Sequence, residues 1–314
     1  MNISVVLCTY NGERFLREQL DSIICQTYPI YELVIQDDCS TDRTFDIIKE
    51  YASKYTWIHL YKNDKNLGFK KNYGTSVSHT SGDYIAFCDQ DDIWLPNHIK
   101  VLSENLGNKT LAVGNSLMVD EYGKSMGITL NEVMRSYYIP EDDIKKAYRL
   151  FYNLNIYQGA NMLFKKSLLT HIMPIPEGVR YHDIWIASVA CFCGGINYTD
   201  EIITLYRQHG GNITTNNKIS IFRELKKHHH YDFSSDRIVI YNAIMGRIHN
   251  LSYESIEFLK EWKWYYDHSK LWYCHFRCWW HRFSHYRLVY ESSNYKYFIV
   301  RSIQYLFTPP FNDK

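Results

Sequence analysis

No apolar run in this 314-residue chain approaches the roughly 18 residues that a membrane helix needs, so no spanning segment is expected. A charge imbalance is missing too. The chain has 35 Lys and Arg against 34 Asp and Glu, a net +1, and nothing in that balance points to nucleic acid. The eight cysteines follow no regular framework, and Cys8 and Cys88 sit inside apolar runs. That usage fits free thiols in a reducing cytoplasm better than a disulfide scaffold. No leader is expected, because the apolar run Ile3-Ser4-Val5-Val6-Leu7 starts almost at Met1. Internal repeats and low-complexity tracts are absent. A Gly-x-Gly-x-x-Gly loop after the first apolar run is also absent, which argues against a dinucleotide-dependent dehydrogenase. The segment there, Thr9-Tyr10-Asn11-Gly12-Glu13, is not the Gly-rich, cation-bearing loop expected of a nucleotidylyltransferase either.

The composition is 46% hydrophobic and 22% charged, enough for a large core. Short apolar runs alternate with amphipathic stretches through the first half. Strands are expected over 3–8, 31–36, 57–61 and 83–88. Helical spacing appears in Phe15, Leu16, Leu20, Ile23 and Ile24, in Phe45, Ile47, Ile48 and Tyr51, and through Tyr73 and Val77. This alternation predicts an α/β fold whose mostly parallel sheet is flanked by helices on both faces. Further strands are expected over 110–119 and 157–164, and 134–152 reads as a loop leading into a helix. A helix over 183–193 then precedes a last strand over 196–207.

After Asn217 the chain becomes helical in pattern, basic and aromatic, so the expected division is 1–217 and 218–314. The second part carries 15 Lys and Arg against 9 Asp and Glu. Between Trp262 and Phe307 it holds 17 aromatics, five of the chain's eight tryptophans among them. Rings interleaved with cations suit an anionic membrane interface. They equally suit a helical subdomain packed on the main core. Cys274, Cys278 and His281 share a helical face, which reads as packing rather than a metal site, and His228-His229-His230 is expected to face solvent.

In an open parallel sheet, ligands bind beyond the carboxyl ends of the strands. The first expected strand ends in Cys8-Thr9-Tyr10-Asn11-Gly12, the second in Gln36-Asp37-Asp38-Cys39-Ser40, and the fourth in Cys88-Asp89-Gln90-Asp91-Asp92. Five carboxylates therefore meet at one edge. Unpaired they would repel one another, and a cation relieves that repulsion. An all-oxygen donor set favours Mg²⁺ or Mn²⁺ over zinc, and such an ion bridges phosphate oxygens well. The Asp37–Asp42 run also suits a turn and helix N-cap. Three carboxylates directly after Ile85-Ala86-Phe87-Cys88 are harder to explain without a ligand.

These segments resemble family 2 glycosyltransferases. The likeness rests on Ser4–Gly12, Asp37–Asp42, Asn66-Leu67-Gly68-Phe69 and Gly82–Asp92, whose end supplies a DxD element. Tyr181-His182-Asp183-Ile184-Trp185 and Tyr206-Arg207-Gln208-His209-Gly210 extend it to about residues 2–212. The Asp89-Gln90-Asp91-Asp92-Ile93-Trp94 and Tyr206-Arg207-Gln208-His209-Gly210 wordings are similar to bacterial rhamnosyltransferase-like enzymes of surface polysaccharides. The resemblance implies a GT-A fold and an inverting transfer of a sugar from a UDP or dTDP donor, dTDP-rhamnose among them. The receiving group would be a hydroxyl of a glycan or a lipid-linked acceptor. The enzyme would work in the cytoplasm or peripherally on the inner face of the membrane.

The resemblance also assigns roles. Asp38 would accept the ring N–H of uracil or thymine, with Thr9, Tyr10 and Asn11 lining the base and ribose pocket. Lys71 would lie near the donor, although Asn66–Asn72 departs from the common form with Ala-Arg-Asn. Asp89 and Asp91 would be the DxD pair on Mg²⁺ or Mn²⁺, Asp91 the direct ligand. Asp183 would be the catalytic base, a position that also suits an N-cap. His209 would contact the diphosphate or the metal, or be an ordinary loop histidine. Gln158-Gly159-Ala160-Asn161 matches an acceptor-side segment. A non-catalytic sugar-binding relative would be expected to lose the DxD acids or the base, and both are present.

Overall fold

The computed structural model describes residues 1–134, 139–152, 155–210 and 233–268, with Arg277 and Trp280. Nine strands form one sheet: β1 (Ile3–Thr9), β2 (Glu32–Asp37), β3 (Ile58–Lys62), β4 (Tyr84–Cys88), β5 (Ile93–Trp94), β6 (Leu111–Val119), β7 (Ser125–Thr129), β8 (Met162–Lys165) and β9 (Ile196–Arg207). Their order is β3-β2-β1-β4-β8-β6-β9-β5, with β7 on β6. The first four strands pair in parallel, as their alternation with helices predicts. The second half is mixed: β8 runs antiparallel between β4 and β6, and β5 and β7 also pair antiparallel. The strand expected over 157–164 is a 3-10 turn at Gly159–Asn161 followed by β8 from Met162. Alternation with helices could not predict its direction, and β5, only two residues, is too short for periodicity to register.

Side chains alternate across the parallel strands, so each feeds two cores. Ile3, Val5 and Leu7 point to one face, under α1 (Leu16–Ile24), α2 (Thr44–Lys54) and α4 (His98–Leu106). Val6, Ile85 and Phe87 point to the other, under α3 (Phe69–Val77), α6 (Asp143–Tyr152) and α8 (His182–Phe192). Four short helical pieces complete the described main body, α5 (Leu130–Val133), α7 (Leu169–Ile172) and 3-10 turns at Gly159–Asn161 and Lys166–Leu168. Helix α4 extends the expected set; its Ile99, Leu102 and Leu106 are wholly buried at helical spacing. Helix α8 is buried on nearly all sides, from Ile184 through Cys191, as an all-round apolar helix must be. Each such Leu, Ile or Phe contributes about 1.5–3 kcal/mol by leaving water.

The described part of the extension is helical: α9 (Phe233–Arg247) and α10 (Tyr253–His268). Their Ile240, Ile244, Phe258, Leu259 and Trp262 belong to the same core as Phe87 and Val113. Trp262 packs edge-on to Phe151 at 5.0 Å, and Tyr148 of α6 donates to Glu261 of α10. These helices therefore pack on the core rather than extend from it. The expected boundary at 217, the histidines at 228–230, Cys274, Cys278 and His281 lie outside the described residues, as does most of the aromatic stretch.

Candidate functional site

Parallel register brings three strand ends level. Leu7 stands beside Cys88, and Thr9 beside Asp37, so the loops after β1, β2 and β4 emerge together. The loop after β4 is the acid turn, Asp89–Asp92. Asp89 accepts a hydrogen bond from the Tyr73 hydroxyl at 3.0 Å. Burial first, and then the neighbouring Asp91, push its carboxyl above the usual range. Asp92 is fully buried and also raised, by burial and then by Asp91 and Asp89. Its oxygens take the Arg207 N–H at 3.1 Å and the Gln158 amide at 3.4 Å. Asp91 Oδ2 lies 2.8 Å from His209 Nε2, and the His209 ring rests 4.7 Å from that of Phe15.

The loops after β1 and β2 are laced together. Asn11, in the left-handed region at φ 47°, accepts the Thr41 N–H at 2.9 Å, and its own N–H goes to Ser40 Oγ. Thr9 is buried, its hydroxyl donating inward to Asp37 at 3.0 Å, and Asp37 also takes the Ser40 N–H and hydroxyl. Asp37 thus serves the turn. Tyr10 is about half exposed at the mouth. Asp38 is buried and accepts from Asn63 Nδ2, Leu67 N and Gly68 N, each at 2.8 Å. It orients the 63–68 segment, and a nucleobase N–H would have to use its remaining lone pair or displace that segment. Lys71 stands exposed on α3, one residue past Lys70, which donates to the Glu177 carbonyl.

Across from the acid turn, Asp183 sits in the first turn of α8 and accepts the Ile184 N–H at 2.6 Å. Burial pushes its carboxyl up to about 7, the charge on Asp89 adds to this, and the Ile184 N–H and Arg237 oppose it. A carboxyl so placed titrates where a general base is effective. The neighbouring His182 ring packs on Tyr73 at 4.8 Å and is pushed down to about 4 by burial. Its Nε2 lies against Gly159, where a Cβ would come within 2.3 Å. His182, next to Asp183, thus links the Gly159 segment to Tyr73, and Tyr73 in turn meets Asp89 of the acid turn. Arg237, from α9, is buried and donates to the Leu150 carbonyl at 2.6 Å.

Asp91 is therefore brought to His209 and close to Asp89, and Asp183 feels the charge of Asp89, while Thr9 is turned inward and Lys71 outward. Arg207, Tyr73 and Gln90 hold the acid turn or the loop beside it, and the charge of Arg237 reaches Asp183. Arg207 and Gln90 had a visible signal, their places in the Tyr-Arg-Gln-His-Gly and Asp-Gln-Asp-Asp wordings. The donor set fits a hard divalent ion. Two neighbouring carboxylates, the charge of Asp91 pushing the Asp89 carboxyl up, favour a cation between them, and Mg²⁺ typically takes one or two carboxylates plus substrate phosphate oxygens. Among the described residues no three His, Cys, Asp or Glu side chains converge as a complete cage. His209 instead pairs with Asp91.

Residues 4–173, more than half the chain, match the profile described as Glycosyl transferase family 2. WfgD of Escherichia coli, named as a UDP-Glc:alpha-D-GlcNAc-diphosphoundecaprenol beta-1,3-glucosyltransferase, is 29% identical over 143 residues, covering 43% of this chain and 55% of its own. The curated relatives are matched over part of their length, which for EpsE of Bacillus subtilis (strain 168) is 45%. S. aureus TarS 1–349 in complex with UDP-GlcNAc superposes with a TM-score of 0.59 at 20% identity, over 86% of this chain and 73% of its own. The mannosyltransferase PcManGT from Pyrobaculum calidifontis, in complex with GDP-Man and Mn2+, gives 0.56 at 16% identity, over 98% and 81%. Identities this low speak for the fold, which is GT-A. Among the described residues no helix is long and apolar enough to cross a membrane.

Proposed function

The chain belongs to glycosyl transferase family 2, and from that premise we propose that it transfers a sugar, with inversion, from a UDP or dTDP donor to a hydroxyl of a glycan or lipid-linked acceptor in surface polysaccharide synthesis. The observation that carries this reading is the placing of Asp183, a carboxyl raised to about 7, opposite the acid turn. Asp183 takes the proton of the acceptor hydroxyl as that oxygen attacks the anomeric carbon from the face opposite the diphosphate. One displacement inverts the centre. Asp89 and Asp91 are the residues that would hold Mg²⁺ or Mn²⁺. When bound, the ion neutralises charge on the departing diphosphate. The acid turn orients the diphosphate, and Tyr73 and His182 form the wall between donor and acceptor.

Two relatives support this reading by their names. WfgD is named for a UDP-sugar donor and a lipid diphosphate acceptor, and the TarS structure holds UDP-GlcNAc. PcManGT holds a GDP-sugar, so the fold alone does not select the base. Asp38 favours a pyrimidine, whose N3–H pairs with one carboxylate oxygen. The test is a donor screen across UDP-, dTDP- and GDP-sugars, reading thermal stability with and without Mn²⁺. A Mn²⁺-dependent rise with a UDP- or dTDP-sugar is expected. A larger rise with a GDP-sugar would overturn the pyrimidine assignment, and no response to any donor would overturn the function.

A further inference from the structure

Arg207 is buried, with 1% of its surface exposed, and it reaches several elements that sequence keeps far apart. Its Nε donates to the Asp91 carbonyl at 2.9 Å, across 116 positions of chain. One terminal nitrogen donates to the Glu121 carbonyl at 3.0 Å, and the other meets Glu18 Oε2 at 2.5 Å. The guanidinium also lies 4.7 Å over the Phe15 ring, and the Arg207 backbone N–H holds Asp92. Two positions on, His209 meets the Asp91 carboxylate. The end of β9 therefore grips Asp91 by both its carbonyl and its carboxylate, and Asp92 by its side chain.

We propose that Arg207 is a positioning residue that fixes the direction of the Asp91 carboxylate toward the divalent ion and the donor diphosphate. This rests on the glycosyltransferase reading above. Two physical effects combine. The planar fork holds the Asp91 peptide in one orientation, so the carboxylate is presented without a search through rotamers and peptide flips. The buried cation also opposes the repulsion that Asp91 and Asp89 exert on Asp92, with Glu18 balancing it from the solvent side. A lysine at this position keeps the charge and loses the fork, so the two effects are separable.

The test uses the full-length protein with Arg207→Lys, Arg207→Met and Glu18→Gln. UDP binding is measured by calorimetry with and without Mn²⁺, and Mn²⁺ occupancy by electron paramagnetic resonance. Arg207→Lys is expected to bind metal-free UDP as the wild type does and to weaken Mn²⁺ binding about 10–100-fold, the usual cost of losing the support of a metal ligand. Arg207→Met should show the same loss with a lower melting temperature. If both Arg207 variants fail to fold, Glu18→Gln, at a partly exposed residue, still reads the effect as a smaller Mn²⁺ loss in the same direction. Wild-type Mn²⁺ affinity in Arg207→Lys or in Glu18→Gln would overturn the inference, as would an equal loss of metal-free UDP binding. A wild-type protein that binds UDP without any response to Mn²⁺ would overturn the metal-dependent reading, and this inference with it. One that binds no nucleotide at all would overturn the function itself.

Discussion

Gln90 pairs with the backbone of Tyr10 through both halves of its amide: Oε1 accepts the Tyr10 N–H at 2.9 Å, and Nε2 donates to the Tyr10 carbonyl at 3.0 Å. The middle residue of the acid motif is therefore a clip between the loop after β1 and the acid turn. Gly12 lies beneath it, where a Cβ would come within 2.3 Å of Oε1.

Gln90→Leu and Gly12→Ala should both loosen donor binding, by about tenfold, the equivalent of one lost hydrogen bond of about 1–1.5 kcal/mol. Calorimetry with the preferred donor nucleotide checks this. Unchanged affinity in both variants would remove the clip from the donor site.

Asp183→Asn keeps the shape of the side chain and cannot take a proton. Transfer should fall by about 10²–10⁴ while donor affinity stays near the wild-type value. Turnover close to that of the wild type would sink its assignment as the base.

A base must be ionised to act, and burial holds Asp183 at about 7. The rate should therefore be lost as pH falls through about 7 and level off above it. A cation bound between Asp89 and Asp91 moves this limb to lower pH, since it cancels part of the repulsion from Asp89. The limb should vanish in Asp183→Asn. A residual rate in that variant showing the same limb would assign the limb to another group.

Asp91→Asn, or removal of divalent ions with EDTA, should abolish transfer and weaken nucleotide binding together. Added Mn²⁺ or Mg²⁺ should restore the EDTA-treated protein and not the variant. Full activity in metal-stripped protein would show that the two carboxylates serve another purpose.

Far from the site, Glu32 is buried at the start of β2 and accepts from Ser4 Oγ at 2.6 Å and from Ser81 N and Oγ at 2.5 and 2.9 Å. Burial would raise its carboxyl, but these bonds outweigh it and hold the group below its usual range. A depressed carboxyl stabilises the fold above its unfolded value of about 4.3 and loses that contribution as pH falls through the folded value. Glu32→Gln should cost about 1–3 kcal/mol at pH 7. In denaturant melts the gap to wild type should narrow below pH 4; a gap independent of pH would show that the charge is not what holds the turn.

Much of this molecule was legible in one dimension because its strand ends announce themselves. Ile85-Ala86-Phe87-Cys88 followed by Asp89-Gln90-Asp91-Asp92 is an apolar run that stops at a cluster of charge. A local contrast of that kind survives without coordinates, and it placed the acid turn; the alternation of apolar runs with amphipathic stretches placed the parallel half of the sheet, and Asp183 was singled out by the family resemblance. The direction of pairing in the other half was not legible, because β5 is shorter than any period it could show and the pairing of β5 and β8 depends on partners distant in the chain. The same limit applies within the site. Thr9 and Asp37 look like pocket residues until the fold turns one onto the other, and Asp38 looks free until the 63–68 segment closes over it. Nothing local marks Arg207 as buried, since its carbonyl partner is 116 residues away and its carboxylate partner 189. Which residues can do chemistry is a property of residue type and local pattern. Which are spent on holding the fold is decided by long-range contacts and the burial they create, and burial is also what moves the Asp183 carboxyl to a useful pKa.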